Sequence, residues 1–433
     1  AEIGKVDGNI DDFVVEGLKG QKGTISLENG NLYVDIENFH PGNVTWTGAN
    51  GGSWDVDNSV NFVVDESEEE RSFVPGDGVT FDDNAEVTDI TVASNIEPSS
   101  ITFNNETKNF VFSGEGFVGN APLVKNGAGS VTLNNVNSLG NSEINGGTVN
   151  VKAMANDVGQ DLGSLGGVSS VVTISNDAVL GITEDVSTTQ SIVAGQGGAT
   201  FDIPSGKTFK LSSGVKSGAT DAVLTKTGDG TLTLGSNNTV SRLVINGGTV
   251  NAIEAGGKSQ LPATVEFIRG SLWDSGADDG STMTQNNTIF VVPANRLARL
   301  YTDPRAEYNG KLTGEGTFNV YAAGVRTYFD GDWSEFTGTI VPGVYKRGSY
   351  DPSFVFRNSK GLLNCTLQVD EGITFNNEAG QLVLGDLVLN GTLAGSGTYI
   401  LGRNNNDISF TGSISGSAVR KEGTGIWTVS TSG

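Results

Sequence analysis

One block of sequence returns at a fixed interval, and that recurrence limits the chain to architectures built by stacking. Leu123-Val-Lys-Asn-Gly-Ala-Gly-Ser-Val-Thr-Leu133 recurs as Leu224-Thr-Lys-Thr-Gly-Asp-Gly-Thr-Leu-Thr-Leu234, and Asn145-Gly-Gly-Thr-Val-Asn150 recurs as Asn246-Gly-Gly-Thr-Val-Asn251. Both pieces are displaced by the same 101 positions (123 to 224, 145 to 246), so the polar stretch between them keeps its length. A third copy of the first piece, Val419-Arg-Lys-Glu-Gly-Thr-Gly-Ile-Trp-Thr-Val429, has no Gly-Gly-Thr piece after it. Recurrence of this kind indicates stacked supersecondary units, each burying its apolar face against its neighbours, rather than one globular core.

Between the copies, apolar residues alternate with polar ones, as at Val131 and Leu133, Leu232 and Leu234, or Leu387 and Leu389. Alternation broken by Gly, Asn, Asp and Ser reads as short strands joined by turns. The 62 glycines among 433 residues would point to disorder without that alternation, but with it they mark corners. No window shows a sustained helical period; Met154 to Leu165, interrupted by glycine, is expected to be a loop with one helical turn. The predicted class is all-β.

A net charge of −24 and a pI near 4.3 repel phosphate backbones, so nucleic acid is not an expected partner. No apolar run is long enough to span a membrane. The single cysteine, Cys365, allows no internal disulfide and reads as a small core residue. No signal peptide opens the chain, as expected of a processed product.

The recurrent block resembles the autotransporter-associated β-strand repeat, also called the passenger-associated transport repeat. Leu123, Lys125, Gly127, Gly129, Val131, Leu133, Gly146, Gly147 and Thr148 match its pattern, as do Leu224, Lys226, Gly228, Gly230, Leu232, Leu234, Gly247, Gly248 and Thr249. The last copy departs by carrying Trp427 where a leucine is usual. Because it stops before its Gly-Gly-Thr half, the natural protein is expected to continue past Gly433. Thr45-Trp-Thr-Gly48, Trp54 and Phe73-Val-Pro-Gly-Asp-Gly-Val-Thr-Phe81 are similar to the segment that opens such arrays. The resemblance implies a right-handed parallel β-helix, a β-solenoid, in a secreted or surface-displayed bacterial protein, and it implies no reaction.

Glycine and asparagine suit the sharp corners of such coils. Asparagine pairs at 104–105, 134–135, 237–238, 286–287 and 376–377 can form hydrogen-bonded ladders along the stack. With about 20 residues per coil, the expected rod has roughly 17 to 20 coils and a length on the order of 80 to 100 Å. The helix is expected over residues 44–433, with repeats at 123–151 and 224–252 and a partial one at 419–433. Residues 1–43 read as a cap or the tail of an upstream domain, with a hairpin about Asn29-Gly30. The acidic run Asp65-Glu-Ser-Glu-Glu-Glu70 reads as an exposed loop, since consecutive carboxylates without a glycine turn make a poor calcium motif.

Parallel β-helices often carry polysaccharide lyases and hydrolases, so chemistry has to be tested. Asp278-Asp279 stands without the Asn-Thr-Asp, His-Gly and Arg-Ile-Lys motifs of pectin-degrading enzymes. His40, the only histidine, precedes Pro41 and reads as a surface turn residue rather than a general base. Lys125, Lys226 and Lys421 recur at one repeat position, and active sites do not repeat along a rod. They are expected to lay an aliphatic stem over the coil with the charge in water. No catalytic residue, metal site or cofactor is predicted.

One region differs in kind. Between Arg296 and Arg357 eight basic residues face seven acids, and six of the eight tyrosines fall between Tyr301 and Tyr350. Aromatic faces stack on sugars and arginines pair with carboxylates or hydroxyls, which makes Tyr301, Arg305, Tyr321, Arg326, Tyr328 and Trp333 candidate ligand-binding residues. The competing reading covers coil edges with these aromatics and pairs the arginines with acids such as Asp303, Glu307, Asp330 and Asp332. The leading expectation is a non-enzymatic extracellular stalk or surface-interaction module on the bacterial surface, partnered by flanking domains of the same protein. A carbohydrate-binding adhesin surface at residues 296–357, meeting a polysaccharide or cell-surface glycan, is the alternative. A polysaccharide lyase is the second.

Overall fold

Period-two alternation places the strands. In Ser100–Phe103, Ser130–Leu133, Thr148–Val151, Thr231–Leu234 and Thr366–Val369 every second side chain is buried, as a sheet with one face on a core requires. The computed structural model describes residues 22–430 apart from 30, 38–39, 57, 157–158, 236, 254–260, 276–283, 303–305, 324–326 and 346–353. Every regular element among them is a β-strand. Met154 to Leu165 holds no helical turn among its described residues. Leu162–Gly163 instead pairs antiparallel with Gly166–Gly167, and Met154, Ala155 and Leu165 are buried.

Two compact units divide the chain, Ala1–Val172 and Thr173–Gly433. In the first, the strands Asn43–Trp46, Gly78–Phe81, Ser100–Phe103, Ala121–Lys125 and Leu139–Ile144 stack in parallel, each on the strand one coil earlier. Asp89–Val92, Phe110–Gly114, Ser130–Leu133 and Thr148–Val151 form a second parallel wall. The second unit repeats the plan. One wall runs from Val186–Thr188 through Thr208–Leu211, Thr231–Leu234, Arg242–Ile253, Thr264–Ser275, Leu297–Tyr301, Thr317–Ala323, Thr339–Tyr345 and Thr366–Val369 to Asp386–Leu389. Another runs from Ala306–Tyr308 to Ser413–Ile414. Each unit is a parallel β-solenoid. Coil length varies from 17 residues (Gln381 to Thr398) to 38 (Ser53 to Thr91), the longest being the first coil, which holds the inserted antiparallel strands.

Stacking brings like residues together. Phe329, Phe354 and Phe375 stack within the core at centroid distances of 4.3 and 5.3 Å. Asn126 donates to Asn104 Oδ1 at 2.9 Å and Asn145 to Asn126 Oδ1 at 3.2 Å, an asparagine ladder in which only Asn104 belongs to the pairs singled out in the sequence; Asn105 and Asn377 bond backbone groups instead. Each wholly buried Leu, Val or Phe contributes about 1.5 to 3 kcal/mol, so coils of modest apolar content hold together.

The first coil is closed from an unexpected quarter. Phe62–Val64 pairs antiparallel with Asn43–Trp46 and then with Glu70–Arg71, so the edge that would recruit another strand is occupied. Trp46, Trp54, Phe62 and Phe73 cluster beneath it, all at most 1% exposed. Asp77 binds the Arg71 guanidinium through both oxygens at 2.6 and 2.7 Å and accepts the amides of Gly42 and Val74, each at 2.9 Å. The acidic run 65–70 forms the exposed turn between the two antiparallel strands and the start of the second. The predicted hairpin is present, Lys22–Glu28 against Asn31–Glu37 with Asn29 at φ 52°. Its Leu27, Leu32, Tyr33 and Val34 are all exposed, and residues 62–71 close the first coil in its place.

Candidate functional site

The repeat itself builds the most elaborate polar site. In each full copy a strand carrying the lysine (Ala121–Lys125 or Val223–Thr227) turns through glycines into the next strand (Ser130–Leu133 or Thr231–Leu234). The following coil, with its Gly-Gly pair, lies directly on top. Lys125 and Lys226 are both 0% exposed. Their ammonium groups do not reach water, which corrects the expectation of a surface stem. Lys125 Nζ donates to Gly127 O and, at 3.4 Å, to Gly146 O of the overlying coil. Lys226 Nζ donates to Thr227 O at 3.0 Å and Gly228 O at 2.6 Å.

Burial lowers both amines to about 8; nearby Glu106 and Asp83 oppose the shift at Lys125, as Asp202 and Asp229 do at Lys226. The Gly-Gly pair is needed because the backbones nearly touch there. A Cβ on Gly146 would lie 2.1 Å from Asn126 O; one on Gly248, at φ +56°, would lie 2.2 Å from Gly230 O and 2.6 Å from Lys226 Nζ. The recurrent lysine is thus a clamp on the turn carbonyls, adding a donor to each; at the second copy Thr227 O also accepts the Ile203 amide at 3.2 Å.

The tyrosine-rich region divides into two surfaces and a core. Cross-coil register places Trp273 beside Tyr301 and Tyr301 beside Tyr321 on one outward face. Their rings stack at 4.1 and 4.7 Å with interplanar angles of 9° and 12°. Tyr345 lies edge-on to Trp273 and Tyr301, and its hydroxyl donates to Thr302 O. Burial and the neighbouring Tyr321 raise the Tyr301 phenol above its ordinary value, against the pull of Arg299. The next rung is Gly343, whose Cβ position the Tyr321 ring has taken, with Cδ1 only 2.6 Å away. Rings stacked on each other present edges outward, and Trp273 is the most open member of the column at 36%.

Tyr328 lies elsewhere, under the Arg357 guanidinium at 3.8 Å. Arg357 bonds Asp330 (Nε to Oδ1, 2.6 Å) and Glu307 (2.9 Å), partners that raise its already high pKa further. This is the arginine–acid pairing weighed from the sequence. Trp333 is 1% exposed, packs on Phe318, Phe329 and Phe356, and donates Nε1 to Gly310 O at 3.2 Å. It belongs to the core and offers no face to a ligand. Arg305 and Arg326 lie outside the described residues, as do Asp278 and Asp279.

Trp273 was missed because it precedes the tyrosine-rich window and reaches Tyr301 across a 28-residue coil, a spacing with no repeat signature. Also unforeseen is Asp274, 1% exposed, which accepts Asn286 Nδ2 at 2.8 Å and the Tyr308 hydroxyl at 2.9 Å. His40 is exposed. Cys365 is buried, its thiol pushed up to about 12 by loss of water. Among the described residues no group of three or more His, Cys, Asp or Glu is placed to hold a metal ion.

Comparison with known proteins gives one finding. The model of a family described as Passenger-associated-transport-repeat matches residues 123–151 and 224–252. No curated protein and no solved structure matches the chain. At those two places the repeat takes one form: two strands joined by a glycine turn, a buried lysine at the turn, and a Gly-Gly coil laid over it.

Proposed function

We propose that this chain is a non-enzymatic, extracellular stalk or surface-interaction module of a larger secreted bacterial protein. The observation that carries the reading is the use made of the recurring polar residues: Lys125 and Lys226 are spent on the coil's own carbonyls. Repetition here serves construction. The match to a passenger-associated repeat at two places supports export to the cell surface, and a charge of −24 favours a solenoid that stays soluble and resists lateral association. Protease shaving of intact source cells tests it. The chain should be released without lysis; release only after the cells are broken rejects the surface assignment.

A second reading, a glycan-contacting lateral surface, is favoured by the outward Trp273–Tyr301–Tyr321 column. Arg299, its neighbour on the same strand, forms no ion pair among the described residues. Native affinity electrophoresis against plant, host and bacterial polysaccharides, with calcium and with chelator, decides it. Retardation by one polysaccharide class that W273A and Y321A each weaken supports this surface. Uniform mobility removes it.

A further inference from the structure

The outward ring column of the second unit has two ends, and only one of them is closed. Tyr301 is covered on both faces, by Trp273 and by Tyr321, at centroid distances of 4.1 and 4.7 Å. The far side of Tyr321 lies against Gly343, where a Cβ would meet its Cδ1 at 2.6 Å. At the other end the residue in register with Trp273 on the preceding coil is Asn251, followed one and two coils earlier by Thr233 and Lys210. Among the described residues Trp273 meets two rings, Tyr301 and Tyr345. Tyr345 is edge-on to Trp273 and Tyr301 alike, so it stands beside the column rather than beneath it. Coils follow one another at about 4.8 Å, and an asparagine projects much less far from a sheet than an indole. The step from Trp273 to Asn251 therefore leaves the outer part of one indole face bare. The polar rungs below that face are also unspent. In the first repeat copy the matching pair satisfies itself, Asn150 Nδ2 donating to Thr132 Oγ1 at 3.3 Å across the same register. Thr233 and Asn251 hold those places in the second copy, both half-buried, and neither side chain is hydrogen-bonded among the described residues. From Ser187 to Gly343 their row holds no carboxylate, so no acid of the row stands ready to take the Asn251 donors.

We propose that the bare face of Trp273 seats one hexopyranose of a β-linked, gluco-configured glycan, with Asn251 and Thr233 as its polar floor. A pyranose whose ring substituents are all equatorial turns only axial C–H groups to either face. Such a face stacks on an aromatic ring and leaves the hydroxyls at the rim. The Asn251 amide offers both a donor and an acceptor to a pair of neighbouring hydroxyls, and the Thr233 hydroxyl can do either. A slot one coil step deep, about 4.8 Å, admits a single ring lying parallel to the indole. Equatorial links at both ends keep the chain in the plane of that ring, so it runs along the strands, past Thr249. An axial α-link would drive the chain into the indole or into the coil below. The inference rests on the glycan-contacting reading of this face and assigns it a definite ring face and ligand class. The column's edges take no part in it.

The test titrates the full chain by calorimetry with hexaoses of β-1,4-linked glucose, β-1,4-linked N-acetylglucosamine and α-1,4-linked glucose. At least one β-linked hexaose should bind, with the α-linked one at least tenfold weaker. Trp273→Ala should weaken binding at least tenfold. Asn251→Ala and Thr233→Val, each removing one hydrogen-bonding group, should weaken it about two- to tenfold. The deciding variant is Asn251→Tyr, which adds a fourth ring to the column and closes the face. It should weaken binding as far as Trp273→Ala does, although it enlarges the aromatic surface. Binding kept or tightened by Asn251→Tyr overturns the inference and leaves the column's edges as the glycan surface. Equal binding of the α-linked hexaose overturns the ligand class, as does failure of all three hexaoses while some polysaccharide is still retarded through Trp273. No retardation by any polysaccharide removes the glycan reading and the inference with it. Thermal midpoints screen the variants for folding. Should Asn251→Tyr not fold, Asn251→Ala and Thr233→Val decide, and unchanged affinity in both overturns the proposal.

Discussion

Neutralising the buried lysine clamp is the sharpest perturbation available. Lys226 titrates at about 8 in the folded chain against about 10.4 in an unfolded one. The sign follows from which state holds the proton. Below pH 8 both states are charged and the cost of burying the ammonium is present in full. Between about 8 and 10.4 the unfolded chain keeps its proton while the folded chain has released it, so stability rises with pH. Above that window both are neutral and the cost is gone. At 1.36 kcal/mol per pH unit the gain is at most about 3 kcal/mol, and Lys125, also near 8, should behave alike. The neutral amine still donates to the turn carbonyls, so the fold keeps its clamp. In a sample with 13Cε-labelled lysine, two resonances should titrate near pH 8, one missing from K125M and the other from K226M. Urea midpoints should show wild type gaining on K226M between pH 7.5 and 10, with K421M as the solvent-exposed reference. Titration of both resonances near 10.4, or a difference that stays flat or falls with pH, would refute the reasoning.

Other expectations follow from single contacts. Gly248→Ala places a Cβ 2.2 Å from Gly230 O at φ +56°, whereas Gly372→Ala, at φ +79°, meets nothing within 4 Å. The second should cost only the left-handed strain of about 1 to 2 kcal/mol and the first clearly more, read as thermal midpoints by circular dichroism. Asp77→Ala takes both carboxylate bonds from the buried Arg71 guanidinium, which keeps its bond to Ser72 O at 2.9 Å, and should cost up to about 3 to 5 kcal/mol, with opening localised by hydrogen exchange to residues 42–77. Cys365, buried with its thiol raised to about 12, should react with a disulfide reagent at pH 8 roughly 100-fold more slowly folded than in urea.

The aromatic residues show how far residue type alone carries. Tyr321 and Trp333 both stand among the candidates for a ligand surface, Trp333 the weaker because it sits in a Gly-Asp-Trp-Ser repeat pattern, and the structure turns one outward and encloses the other. Strand parity decides this: Tyr321 falls on the outward phase of Thr317–Ala323, while Trp333 sits at a corner whose indole turns into the core. Trp273 joins Tyr301 only through a coil long enough to hide the relation. Arg357 meets Asp330 because each follows the paired Phe329 and Phe356 in cross-coil register, and its long side chain reaches diagonally to Glu307, two coils back in the row of Tyr328 and Val355.

From the sequence alone came the stacking, because a displaced block can repeat only where its surroundings repeat. Strand phase came too, because alternation is local, and so did the hairpin about Asn29, whose turn needs no distant partner. Tertiary structure decided where each recurring lysine ends. The same Lys-x-Gly piece is sealed at 125 and 226 and exposed at 421, because enclosure depends on the coil stacked above, whose residues lie some twenty positions away in the chain. It also decided that the first coil is closed by residues 62–71 rather than by the hairpin. An edge strand is capped by whichever backbone reaches it in register, and no local pattern records that.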